Sequence, residues 1–175
     1  MNLEHRVEVL ISEEQIQRRI AEMADEITRD YEGLDLTVVA VLKGSFVFVA
    51  DLVRHVRLPL SVDFLGLSSY GDSTETSGVV KITQDLSQPV LGKDVLVVED
   101  IIDTGLTMRY LLDNLATRKP RSVRVCTLLH KPCNERVRVP IHYKGFTIDN
   151  HFVIGYGLDL GEKYRNLRYI GHIVG

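Results

Sequence analysis

The run LTVVAVL at residues 36–42 does most to narrow what this chain can fold into. Six apolar residues and one threonine, mostly β-branched, follow one another with no polar alternation. Such a segment has no face to give to water, so it belongs inside a sheet that is covered on both sides. VLVV at 95–98 and VRVCTLL at 123–129 carry the same message. Shorter strands are expected at 62–67, 79–83, 146–148 and 152–156.

Helical patterns lie between these runs. Ser12 and Gln15 form a capping-box pattern, and Ile16, Ile20, Met23, Ile27 and Tyr31 then recur at spacings of three and four up to Gly33. Residues 46–56 predict a second helix, with Phe46, Val49, Leu52 and Val53 toward a core. Residues 104–118 predict a third, with Met108, Leu111, Leu112 and Leu115 as its stripe. SSYGDSTETSG at 68–78 has no periodicity and reads as a mobile loop. Alternating strands and helices imply an α/β fold with a mostly parallel central sheet flanked by helices. Ligands of such sheets bind beyond the carboxyl ends of the strands. Lys43, Glu99, Asp100 and Lys131 all fall at expected strand ends.

At 175 residues the chain is expected to form a single domain, with a core that needs no disulfide or metal staple. Of the two cysteines, Cys126 sits in an apolar run and Cys133 follows Lys131-Pro132; their spacing matches no metal or redox motif. A formal net charge of −3 argues against nucleic acid as a partner. The N-terminal residues have no signal-peptide core, and no run approaches a membrane span. The expected setting is therefore cytoplasmic, with no membrane partner.

The chemistry concentrates in VLVVEDIIDTGLT at 95–107, where a buried strand runs into two carboxylates and then into a helix start. A helix N-terminus offers unpaired N–H groups. Gly105 lets the backbone approach a ligand, and Thr104 and Thr107 add hydroxyls, so the turn suits a phosphate. Glu99 and Asp100 suit the two hydroxyls of a ribose, directly or through magnesium. Asp103, between carboxylates and cradle, is placed to accept a proton from a bound base. The residues alone also allow a plainer account. Asp103 would then cap the helix, and Glu99-Asp100 would be a solvated strand end.

VLVVEDIIDTGLT resembles the phosphoribosyl-pyrophosphate signature of the type I phosphoribosyltransferases, and most closely that of their bacterial hypoxanthine and hypoxanthine-guanine members. The likeness runs over nearly the whole chain, from VEVLISEEQI at 7–16 to YRNLRYIG at 164–171. It implies a small hood built from chain-terminal segments beside the main sheet. It also implies roles. Glu99 and Asp100 would meet the ribose hydroxyls and a magnesium ion. Asp103 would be the general base at purine N7. The 5-phosphate would sit on Asp103, Thr104, Gly105, Leu106 and Thr107. Lys43-Gly44 matches a pyrophosphate loop in which the peptide before the lysine is often cis. Ser69-Tyr70 matches the start of a loop that closes over the reactants. Lys131 would donate to O6 of the base, with His130 a bystander. Phe152-Val153 would stack on the base and bond it through the backbone, although periodicity alone puts Phe152 in the core. Asp159 would hold a second magnesium, and Arg165 the pyrophosphate. Leu106 departs from relatives that carry lysine or a small polar residue there.

The implied reaction joins a 6-oxopurine to 5-phosphoribosyl-1-pyrophosphate, with Mg2+ as cofactor and these small molecules as partners. A homodimer or homotetramer is implied as well. The competing class is a sugar-phosphate-sensing regulator, which would carry a basic nucleic-acid surface that this acidic chain lacks. A different base, xanthine above all, competes among enzymes.

Overall fold

The computed structural model describes residues 6–69 and 80–174. Six strands form the main sheet: β2 (Leu36–Leu42), β3 (Ser61–Ser69), β4 (Val80–Gln84), β5 (Asp94–Ile102), β6 (Ser122–His130) and β7 (Tyr143–Thr147). Their order is β4-β3-β2-β5-β6-β7, parallel throughout except for the antiparallel β3–β4 pair. The three long helices of the described residues are α1 (Glu13–Asp30), α2 (Phe46–His55) and α3 (Leu106–Ala116). None of the helices is long and apolar enough to cross a membrane.

The unbroken apolar strands now have their reason. Along β2 and β5, Val38, Ala40, Leu96 and Val98 point into the core formed with α1 and α2. Val39, Val41, Val95 and Val97 point into a second core on the other face, with Met108, Leu111 and Leu115 of α3. Period-two side chains thus fill two cores from one strand. The α1 capping box forms as expected. Gln15 N–H donates to Ser12 Oγ at 3.2 Å, and Ser12 N–H donates to Gln15 Oε1 at 2.9 Å.

A second, antiparallel sheet joins the two ends of the chain. It contains β1 (Val7–Ile11), β8 (Val153–Ile154) and β9 (Ile170–Ile173) in the order β1-β9-β8. This is the expected hood.

Three local expectations need correction. Phe46 is 44% exposed, whereas Phe48, Val49 and Leu52 are buried, so Phe48 takes the place expected of Phe46 in the apolar stripe of α2. β5 does not end at Glu99, because its pairing with β6 continues to Ile102 opposite His130. Both acids therefore lie within the strand, and α3 begins at Leu106 rather than Thr104. The strand expected at 152–156 is only Val153–Ile154, because Gly155 and Tyr156 take positive φ values of 93° and 50°.

Candidate active site

The order of the main sheet reverses its direction of winding between β2 and β5, which is where an α/β sheet opens a crevice. Here the opening is explicit. β2 and β5 pair from Leu36 opposite Asp94 to Ala40 opposite Val98, and no further. Beyond that point Val41 and Leu42 stay with β3, while Glu99 to Ile102 stay with β6. Two adjoining hollows occupy the gap. One, of about 220 Å³, is lined by Glu99, Asp103, Thr104, Gly105 and Thr107, among others. The other, of about 190 Å³, is lined by Leu42, Gly44, Ser68, Glu99, Asp100 and Thr107, among others. Glu99 and Thr107 face both.

The two acids meet different neighbours. Glu99 lines a hollow with Met108 of α3, and Asp100 Oδ2 lies against Gly44, just before α2. Glu99 is only 8% exposed. Burial, and then the neighbouring charge of Asp100, push its carboxyl well above the ordinary carboxylate range. Neither acid forms an ion pair with a Lys or Arg among the described residues. Glu99 Oε1 accepts from the Asp100 N–H at 3.1 Å, and Asp100 Oδ1 from the Ile101 N–H at 2.8 Å. Two adjacent hard oxygen donors with no cationic side chain beside them among the described residues suit a divalent cation such as magnesium, which would favour their ionised forms. No three His, Cys, Asp or Glu among the described residues make a ready cage. Magnesium needs none, since it takes one or two carboxylates and fills its shell with water and phosphate.

The turn beyond β5 is tight. Gly105 is the N-cap of α3, at φ +83°, and no side chain caps the helix. The first amides of α3 therefore point out with little internal competition; Leu106 N–H reaches Thr104 Oγ1 only at 3.4 Å. Asp103 is not the cap, which removes the plainer account of it. Its Oδ1 is buried, lacks a hydrogen-bond partner among the described residues, and belongs to a residue lining the larger of these two hollows. Gly105 is also required by packing. A methyl group there would strike the carbonyl oxygen of Val137, so the close approach is to the chain's own backbone. The N–H groups of Arg136 and Val137 both reach Thr104 O, at 2.9 and 3.1 Å, and brace the turn from behind. Leu106 does not line either hollow.

Lys131 is 7% exposed and stands on the same rim, because its N–H donates to Ile102 O at 2.9 Å. Its ammonium has no hydrogen-bond or ion-pair partner among the described residues. His130 lines a different hollow, with Glu135, Arg138 and Lys144.

The peptide between Leu42 and Lys43 is cis. Gly44 is fixed by contact, since a methyl group there would overlap Oδ2 of Asp100. A methyl group on Gly157, at φ +99°, would overlap the carbonyl oxygen of Gly44. Gly157 in turn accepts from Arg165 Nη1 at 2.8 Å. Arg165 Nη2 lies 3.2 Å from Asp159 Oδ1, so these two predicted residues meet as an ion pair. Glu162 joins them, 3.4 Å from Arg165 and 3.0 Å from Lys43 Nζ. Sequence reasoning missed Glu162; its signal was the spacing of three to Arg165 in EKYR.

Phe152 is 58% exposed, so the core placement suggested by periodicity is wrong, while Val153 is 6% exposed within the hood. Ser69 ends β3 opposite Val80. Tyr70 and the rest of the expected loop to Gly78 lie outside the described residues.

The model of the phosphoribosyl transferase domain matches residues 10–160. The chain belongs to the phosphoribosyl transferase family. Among this family's curated members, it is 53% identical to the hypoxanthine-guanine phosphoribosyltransferase of Mycobacterium avium, over 93% of this chain and 83% of that one. It is 47% identical to the hypoxanthine phosphoribosyltransferase of Salmonella typhimurium, over 98% of both chains. A crystal structure of a hypoxanthine-guanine phosphoribosyltransferase from Bacillus anthracis superposes with a TM-score of 0.92 at 49% identity, covering 98% of this chain and 100% of that one. The crevice between β2 and β5 is thus the candidate active site of a phosphoribosyl transferase.

Proposed function

We propose that the chain is a purine-salvage enzyme. It transfers the 5-phosphoribosyl group of 5-phosphoribosyl-1-pyrophosphate to N9 of hypoxanthine, and of guanine, giving IMP or GMP and pyrophosphate. The observation that carries this reading is the Asp103 carboxylate oxygen, buried and without a partner among the described residues, on a residue that lines the hollow beside the uncapped start of α3.

The amides of Leu106 and Thr107 at the start of α3 hold the 5-phosphate, with the hydroxyls of Thr104 and Thr107 beside them. Glu99 and Asp100 take the ribose hydroxyls and one magnesium; Asp159 takes a second. When bound, magnesium neutralises charge on the departing pyrophosphate. The ribose C1–O bond breaks largely first, and its electron pair leaves with pyrophosphate. Purine N9 then bonds to C1, and the purine proton passes to Asp103 through N7. Lys131 donates to O6, a contact an adenine amino group cannot accept. Phe152 stacks on the base, and the Val153 backbone bonds its edge. Lys43, Gly44 and Arg165 receive the pyrophosphate. The protein's contribution is positioning and preset electrostatics. The enzyme works in the cytoplasm as a homodimer or homotetramer.

The test measures pyrophosphate release from the sugar pyrophosphate and Mg2+ with hypoxanthine, guanine, xanthine, adenine and uracil in parallel. Release with hypoxanthine or guanine, and none with adenine or uracil, is expected. Tight sugar-phosphate binding with no release for any base would replace the enzyme by a regulator.

A further inference from the structure

Glu162 has a position that the transfer reaction does not demand. It sits between the hood strands on no helix or strand, at φ +66°, a conformation uncommon for a residue with a side chain and concentrated at functional turns. Its N–H donates to Asp159 Oδ2 at 2.9 Å, which holds the turn closed. The carboxylate then reaches two ways. Oε2 accepts from Lys43 Nζ at 3.0 Å, across 119 residues of chain, and Oε1 lies 3.4 Å from Arg165 Nη2.

Each of these contacts is loose. The Lys43 and Glu162 side chains are 69% and 65% exposed, so water competes at both ends of the bridge. The bond to Arg165 is long, and it engages one guanidinium nitrogen where a better anion would engage two. Arg165 is meanwhile kept in place by its separate bond to Gly157 O. The cluster of Lys43, Arg165, Asp159 and Glu162 balances two positive charges with two negative ones. Apart from the magnesium it brings, a polyanion arriving there meets no net positive charge on these four side chains until a carboxylate gives way.

We infer that Glu162 is an internal stand-in for pyrophosphate: its carboxylate bridges Lys43 and Arg165 when the site is empty and is displaced when pyrophosphate binds. The inference rests on the reading that Lys43 and Arg165 receive pyrophosphate. Its consequence is a trade. Glu162 weakens pyrophosphate binding and, by returning to the two cations, speeds product departure, a step that limits many transferases.

The sign of one substitution decides it. Glu162→Gln removes the competing charge and keeps the shape. Magnesium pyrophosphate, titrated by calorimetry, is expected to bind about two- to fivefold more tightly, the range set by an exposed ion pair. If Glu162 instead props Lys43 and Arg165 into place, the same variant binds pyrophosphate more weakly. Weaker or unchanged binding overturns the inference. Glu162→Gly, which suits the left-handed backbone, guards against misfolding of the first variant and carries the same expectation. Lys43→Ala and Arg165→Ala test the underlying reading separately. If both leave pyrophosphate affinity intact, that reading fails whatever Glu162 does.

Discussion

Replacing Asp103 by asparagine preserves the shape of the side chain and removes its capacity to take a proton. If it is the general base, Asp103→Asn lowers kcat by about 10²- to 10⁴-fold while IMP affinity changes little. Stopped-flow turnover and equilibrium nucleotide binding, measured on the same preparation, separate the two. Equal losses would reduce Asp103 to a binding group. This residue was legible from sequence because its neighbours in the chain are also its neighbours in space. Glu162 was not. Its partner Lys43 lies 119 residues away, and no local pattern reports such a meeting. Phe152 was misplaced by periodicity because a two-residue strand is too short to have a period.

At the scale of elements, the strands were readable and their ends were not. A run buried on both faces announces itself through composition. Where β5 stops depends on how long β6 keeps pairing with it, and that is a property of two segments together. The glycines make the same point. Gly33 and Gly105 share a positive φ, at +76° and +83°, but only Gly105 is pressed against another backbone, at Val137. Gly33→Ala is therefore expected to cost only the left-handed conformation, about 1–2 kcal/mol. Gly105→Ala is expected to cost more than that, because residues 136 and 137 must also retreat from the phosphate turn. Urea midpoints with unchanged m-values would rank the pair. Sugar-phosphate affinity should fall only for Gly105→Ala. Equal midpoints for the two variants would refute the bracing argument.

Across the whole molecule, the end of the sheet opposite the crevice is tied by Asp94, the first residue of β5. Hydrogen bonds from the Arg121 guanidinium, and then from Ser122 Oγ, hold its carboxyl below the ordinary carboxylate range in spite of burial. A depressed folded pKa means the unfolded chain binds the proton more readily. Asp94 thus adds stability that is fully present above about pH 4, the unfolded value, and is lost as pH falls through the lower folded value. Asp94→Asn should lower stability at pH 7 and flatten its decline below about pH 4. Chemical denaturation between pH 2.5 and 7 reads both; an acid limb as steep as the parent's would exclude Asp94 as its source.

The two sheets divide the proposed contacts. Those to ribose and the 5-phosphate stand on the main sheet with Lys43 and Lys131, while Phe152, Val153, Asp159 and Arg165 stand on, beside or between the hood strands. Such a plan lets the base-stacking end of the hood vary by itself. Lineages can redraw which base is accepted by altering a few residues near the chain's two ends, while the inherited apparatus for breaking the ribosyl bond stays as it is.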